Sequence, residues 1–512
     1  MLYLAYNGKM VQANHKYLIA AGSPAPMFDL ILTFDDIGSA PVGDPTSVSD
    51  WNTWFDLPTW GSPFTNVAVL GDVVTLSGGS NITLKDYLFG DDAAAGPGLL
   101  SIVDTGCITN TGWGTFSDDG DEGYGCYNLT TAVFPGLTSI GDYSFMNAVS
   151  LTSFTIPNGV SIIPAYSFSG TGLTTISIPA SITNIDGTAF ENCLNFTGFN
   201  VSGSNSDYSD ISGVLFDKIQ STIISYPRGK VGTSYSIPNG VITIGLSAFA
   251  NCILENITMP NTVITMDNHA FDTCSALTNI TLSSNLSNIS GWGFSNCSSL
   301  GGITIPSSVT LISNDAFRFC ISLPNITIPD GVSDIQDNTF WGCSLLTDVS
   351  LGNGLTAIGN YAFYTTGLTN IQIPNNIITI GDNAFASCGS LTTALIGNGV
   401  TTIGPSAFYA CSSLTDVLLG NSVQSIGYAA FGFTSITDVT IPASVTFIDD
   451  YAYYQCIPSL YNLYPLAAPT IGGSNAFGDY AKPLHIQSSG TSGYNVSPWT
   501  NVAKFSSIIQ DL

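Results

Sequence analysis

The sequence predicts an elongated repeat solenoid of the α+β class, with short strands and short helical turns, preceded by a small α+β head. Three observations predict it. An aromatic side chain returns every 22 or 23 residues over most of the chain, at Phe145, Phe168, Phe190, Phe249, Phe271, Phe294, Phe317, Phe340, Phe363, Phe385, Phe408 and Phe431, and Tyr453 and Phe477 continue the series. An apolar pattern, L-x-x-I-x-I-P-x-x-V-x-x-I, keeps step with it, as at Leu300, Ile303, Ile305, Pro306, Val309 and Ile312. Cysteine recurs three residues after the aromatic, at Cys193, Cys252, Cys274, Cys297, Cys320, Cys343, Cys388, Cys411 and Cys456. A period of this length marks stacked repeats, each too short to bury its own apolar face.

The head comes first along the chain. Residues 1–25 read as a β-hairpin: Leu2, Leu4 and Tyr6 alternate, Asn7-Gly8 is the preferred two-residue turn, and Met10-Val11 returns. Tyr17-Leu18-Ile19 is a further strand candidate. In residues 26–100, Phe28–Phe34 reads as an apolar strand, and Ser47 or Ser49 is placed to cap a short helix bearing Trp51, Trp54 and Phe55 on one face. Val67–Leu70 and Val73–Leu76 flank Gly71-Asp72 as a second hairpin.

The solenoid is expected over residues 101–464, with a capping region at 465–512. In each unit the alternation at Ile303 and Ile305 signals a short strand, which Pro306 ends because proline cannot donate to a ladder. Val309 and Ile312 mark a second extended segment, and Asp315-Ala316-Phe317 is expected to be a brief helical turn. The spacing from proline to aromatic is constant at 11 residues, as in Pro157 to Phe168 and Pro329 to Phe340. Core packing fixes that arc, and the turn after the aromatic absorbs the variation. The units ending in Thr171, Thr366 and Thr434 lack the cysteine and are one residue shorter. The cysteine column is expected to be a ladder of buried free thiols acting as small apolar groups, since zinc needs convergent ligands rather than a line. Cys107 and Cys126 lie outside the ladder and are the one candidate disulfide.

Composition excludes several functions. Charged residues are 9% of the 512, against roughly 25% in an average soluble protein. Nine Lys and Arg against 36 Asp and Glu give a net charge of −27, which argues against nucleic acid as a partner. Lys218, Arg228 and Lys230 lie in one insertion and read as a solvated turn. The first twenty residues lack the pattern of a secretory signal, and no run approaches the ~18 apolar residues of a membrane span; membrane insertion is therefore not expected.

No nucleophile elbow, zinc-protease helix or phosphate loop is present. Cofactors are not expected. The acidic loop of Asp118, Asp119, Asp121 and Glu122 is the calcium candidate, although it does not match the twelve-residue calcium loop and reads as a solvated turn. Two outward ladders are the candidate ligand surface. One runs through Thr258, Thr281, Thr304, Thr327, Ser350, Gln372 and Thr440, the other through Asn256, Asn279, Asn325, Asp348, Asn370, Asp416 and Asp438. Rows of hydroxyls, amides and carboxylates suit a polysaccharide, while threonine also favours any solvated strand. Leu395 and Leu418 interrupt the first ladder and suggest a protein contact.

The unit A-F-x-x-C-x-x-L-x-x-I-x-I-P, seen from Ala270-Phe271 to Leu282 and from Ala316-Phe317 to Pro329, closely resembles the BspA-like leucine-rich repeat family over roughly Leu137 to Leu512. Residues near 200–235, including Ser212–Phe216 and Ile224–Lys230, resemble that family's inserted hairpin-like unit and account for the 59-residue gap between Phe190 and Phe249. Leu484–Ile486, Tyr494, Trp499, Phe505 and Ile508 resemble its terminal cap. The family implies a right-handed curved solenoid in adhesins, secreted proteins and virion proteins, with no catalytic set, so the chain is not expected to be an enzyme.

The N-terminal hairpin resembles the attachment ends of phage appendages. The leading expectation is therefore a phage virion protein, a tail fibre or surface appendage, bound through its N-terminal region to other virion proteins and presenting the solenoid to a host glycan or protein receptor. A bacterial cell-surface adhesin is the alternative. Appendage proteins are often multimeric, which leaves a homo-oligomer open.

Overall fold

The structure is a computed structural model. It describes residues 127–456 throughout and, outside them, residues 2–6, 9–13, 28–34, 66–70, 73–79, 82–83, 99–104, 108–111, 460–464, 468–473, 475–477, 484–487 and 508–511. The repeats form a β-solenoid in which each coil has three sides. The first is the strand of the I-x-I motif, for example Asn325–Thr327, where Ile326 is buried between exposed neighbours. The second is a two-residue strand such as Asp334–Ile335, and the third is the arc that carries the aromatic.

Strands of successive coils pair in parallel and in register. On the second side Asp334–Ile335, Ala357–Ile358, Thr379–Ile380, Thr402–Ile403, Ser425–Ile426, Phe447–Ile448 and Thr470–Ile471 form one sheet. On the first side the ladder is segmented. Ser234–Ser236, Asn256–Thr258 and Asn279–Thr281 pair, then Asn325–Thr327 with Asp348–Ser350, then Asn370–Ile373, Thr393–Ile396 and Asp416–Leu418. Between the first two groups the coil at 301–306 has no strand.

The α+β assignment and its helical turns are corrected here: no helix occurs among the described residues. The arc around Phe317 shows why. The amides of Asp315, Phe317 and Phe319 donate to Asp337, Thr339 and Trp341 of the next coil at 3.1, 2.9 and 2.7 Å, while those of Ala316, Arg318 and Cys320 close local turns onto Ser313, Asp315 and Phe317. A helix would keep every amide inside the segment. Asp315 and Phe319 also have positive φ, 58° and 56°, a conformation that a right-handed helix excludes. The same two positions, flanking the aromatic, carry positive φ in coil after coil, as at His269 and Thr273 or Asn383 and Ser387. The inter-coil hydrogen bonds hold that uncommon geometry in place.

Inside the coils the aromatics form a continuous stack. From Phe249 to Tyr453 neighbouring rings lie 5.0 to 5.5 Å apart and within 15° of parallel. The coil spacing, near the ~4.8 Å of paired strands, imposes this nearly face-to-face arrangement. The nine column cysteines are free and buried, but they are more than small apolar groups. The thiol of Cys343 donates to the carbonyl of Phe317 at 3.1 Å, and those of Cys297, Cys320 and Cys411 likewise reach the Phe carbonyl of the preceding coil at 3.0 to 3.2 Å. Thr171, Thr366 and Thr434 complete the column: each hydroxyl donates to its own Phe carbonyl at 2.8 to 2.9 Å and meets the next cysteine sulfur at 3.1 to 3.3 Å. Cys107 and Cys126 lie outside the described residues.

Two interruptions shape the array. At the N-terminal end the antiparallel strands Asn66–Leu70, Val73–Gly79, Phe28–Phe34 and Leu99–Asp104 form a sheet whose last member pairs in parallel with Thr131–Val133. The head thus passes its sheet directly into the first side of the solenoid. Leu2–Tyr6 and Lys9–Ala13 pair as the expected hairpin, Tyr6 opposite Lys9; the expected helix near Trp51 and the strand at Tyr17–Ile19 lie outside the described residues. At the C-terminal end Leu484–Gln487 and Ile508–Asp511 extend the parallel ladder, while the expected capping aromatics lie outside the described residues.

The second interruption is the insertion, where Tyr208–Ile211, Val214–Asp217 and Thr222–Ser225 form an antiparallel meander whose last strand joins the second side through Thr243–Ile244. Here the hydrophobic interior divides in two. Leu215 belongs to the core that begins at Ile102, whereas its neighbours Val214 and Phe216 belong to the core that runs on to Phe477. Strand alternation makes this one segment a wall between two interiors. Phe190 ends its stack on Phe196 and Phe199, and Tyr226 begins the next one, 5.3 Å from Phe249.

Phe340→Ala opens a gap in the middle of the ring stack and is expected to destabilise the chain by about 3–5 kcal/mol in urea unfolding; a loss under 1 kcal/mol would mean the stack contributes little. Burial raises the thiols of Cys193, Cys297 and Cys320 above their ordinary value of 9.0 and that of Cys343 to about 12. The folded chain therefore holds these protons where the unfolded chain releases them, so the stability these thiols contribute is fully present below pH 9 and is lost as pH rises toward 12. Thermal melting across that range checks it, and a flat profile refutes it.

Candidate functional site

The strand face on the first side gathers the sequence-expected ladders. Parallel in-register pairing sets Asn256 beside Asn279 and Thr258 beside Thr281, Asn325 beside Asp348 and Thr327 beside Ser350, and Asn370 and Gln372 beside Thr393 and Leu395. Asp416 continues from Thr393, and Asp438 opens the strand Asp438–Ile441 beyond it. The apolar residue between the two polar ones, a buried isoleucine at Ile280, Ile326 and Ile371 and a partly buried valine at Val349, anchors the strand and turns both neighbours outward.

Asn279, Thr281, Thr304, Asn325, Thr327, Asp348, Asn370, Gln372, Asp416 and Asp438 are all exposed. The threonines one position earlier have a different task. Thr278, Thr347 and Thr392 donate to carbonyls of the preceding coil at 3.0, 3.2 and 2.9 Å and clamp the coils together. Leu395 and Leu418 stand opposite each other in register, 40% and 62% exposed, and form an apolar step within the polar ladder.

The aromatic arc carries a second surface that the sequence reading missed. The Arg318 guanidinium lies 4.2 Å from the Trp341 ring centre, 5.3 Å from Trp292 and 5.0 Å from Phe319. Its Nη1 donates to Asp315 at 3.2 Å, and its Nε is buried without a partner. His269 stacks on Trp292 and Tyr361 on Trp341. The guanidinium and the stacked rings thus join residues of successive coils and tie the coils together. The signal was present in the sequence: Arg318 is the one Lys or Arg between Lys230 and Lys482, and it falls beside the column position.

Near the inserted hairpin, Glu191 is partly buried beside Ser247, and desolvation raises its carboxyl above the usual range. His269, bonded to Asp272 at 3.0 Å, is raised by that carboxylate. Among the described residues no group of three or more His, Cys, Asp or Glu is arranged to hold a metal ion. The calcium candidate Asp118, Asp119, Asp121 and Glu122 lies outside the described residues. No helix among the described residues is long and apolar enough to cross a membrane. Lys218 and Lys230 donate to the carbonyls of Asn205 and Ser212, so the basic insertion braces its own hairpin.

The profile described as a BspA type leucine rich repeat region matches residues 123–231, 228–347 and 337–459. Similar solved structures include a leucine rich cell surface protein from Faecalibacterium prausnitzii, 33% identical with a TM-score of 0.44; the likeness covers 48% of this chain and 64% of that one, so the chain spans less than two thirds of it. A leucine-rich repeat protein from Bacteroides ovatus is 20% identical, TM-score 0.42, over 79% of this chain and 88% of that one. The pneumococcal vaccine antigen PcpA is 16% identical, TM-score 0.44, over 63% and 73%. A search of curated proteins finds no match. With the matched repeats spanning more than half of its length, the chain belongs to the BspA-type leucine-rich repeat family.

Proposed function

We propose that the protein is a non-enzymatic recognition protein of the cell-surface, adhesin-like kind, and that the first-side strand face is the surface it presents. The observation that carries this reading is the set of in-register, largely exposed amides, hydroxyls and carboxylates on the three strand groups between Asn256 and Asp416. Most coils repeat polar groups of the same kind at one strand spacing, so a polymer or an extended protein surface meets many similar donors and acceptors. Rigid parallel pairing holds the backbone beneath them, which limits the entropy lost on binding.

The family match supports a cell-surface setting over the phage appendage expected from the N-terminus. Gold-labelled antibody against this chain, viewed by electron microscopy, separates the two: label on cell envelopes fits this proposal, and label on phage particles overturns it. For the face itself, replacing Asn370 and Gln372 together by alanine is expected to weaken attachment of the purified full chain to target cells roughly tenfold, the loss of about 1.4 kcal/mol. The melting temperature should stay unchanged, because both side chains are exposed. Attachment that is unaffected by this pair would remove this segment from the recognition surface.

A further inference from the structure

Within this face one coil departs from the pattern. Gly301 and Gly302 stand where the flanking coils place Thr278-Asn279 and Pro324-Asn325. The chain there forms no strand, and Ile303 is only partly buried where its counterparts Ile280 and Ile326 are 4% and 2% exposed. Asn279–Thr281 consequently pairs only with Asn256–Thr258, and Asn325–Thr327 only with Asp348–Ser350. The strand ladder of this side is therefore broken at one coil, whose backbone still follows its neighbour through the bond from the Gly301 amide to the Thr278 carbonyl at 3.2 Å.

The glycines are not demanded by the fold. A Cβ on Gly302 would meet nothing within 4 Å, and one on Gly301 would find its nearest atoms at 4.0 Å. Gly399, by contrast, lies against the Asn375 carbonyl so closely that no Cβ fits. Neither Gly301 nor Gly302 has positive φ. The missing side chains leave an open depression of about 790 Å³.

We propose that this depression is a subsite for a neutral oligosaccharide, which rests on the recognition-face reading above and names its ligand. Its polar rim is Asn279, Thr281, Ser284, Thr304 and Asn325, with Ile303 and Pro306 as the apolar part. Amides and hydroxyls donate and accept at once, which matches sugar hydroxyls that do the same. The apolar part suits the C–H face of a sugar ring. No ionisable side chain lines the depression, so an ionised ligand would lose its hydration without gaining a counter-charge, and the net charge of −27 disfavours polyanions further. An extended peptide is the less suitable occupant, because the segment at 302–304 still lies where an added strand would have to sit.

The test is calorimetric titration of the full chain with neutral oligomers of glucose, mannose, galactose and N-acetylglucosamine, alongside an extended neutral peptide. Binding of at least one oligosaccharide is expected, reduced tenfold or more by Gly302→Tyr, which fills the depression, and by Asn325→Ala, with melting temperatures unchanged. Binding of none of the sugars, binding that ignores both variants, or binding of the peptide alone would overturn the subsite. Cell attachment separates this outcome from the wider reading. If the Asn370 and Gln372 pair weakens attachment while Gly302→Tyr does not, the recognition face stands and the subsite falls; if neither changes it, both fall.

Discussion

Backbone hydrogen bonding from coil to coil is the constraint on which everything else depends. It operates on all three sides, as strand ladders on two and as alternate amides of the aromatic arc on the third. Once neighbouring backbones are held at one strand spacing, every side-chain column inherits the same repeat. Phenylalanine rings must stack, thiols must lie under the preceding carbonyl, and glycine is required wherever one backbone presses on the next, as at Gly399 against Asn375. The polar ladder on the surface is the outer expression of the same spacing. With charged residues at 9%, the array relies on these repeated neutral contacts and not on ion pairs.

The period, the aromatic column and the outward ladders were legible in the sequence because each depends on spacing alone. The nature of the aromatic arc was not. A short segment ending in Ala316-Phe317 has the same composition whether its amides bond within the segment or across to the next coil; the positive φ leaves no mark at Phe319, but the recurring Asn192, Asn251, Asn296 and Asn338 at the same two positions carried a signal for it that the reading did not use. Tyr226 was missed for a different reason. It continues the column 23 residues before Phe249, but the hairpin ahead of it breaks the count from Phe190, and its hydroxyl disguises a position otherwise held by phenylalanine.

The threonines at 171, 366 and 434 show how a substitution can preserve a column that composition suggests is broken. Their hydroxyls meet the Phe carbonyl and the next sulfur, so the line of donors continues where the line of sulfurs stops. Reading the cysteines as merely small and apolar captured their burial but not their bonding. The coil at 301–306 is the converse case, since two glycines that look ordinary in a glycine-rich chain are the place where the regular surface opens.

The partition at the inserted hairpin has a consequence for how the molecule comes apart. In a linear array each coil is stabilised by its neighbours, and disorder at one end spreads inward until an interface resists it. Between Phe190 and Tyr226 the ring stack is interrupted, and the wall of Val214, Leu215 and Phe216 gives each interior its own closed end. Fraying that begins at the C-terminal coils therefore meets a firebreak at the hairpin, beyond which the N-terminal coils keep a complete core of their own.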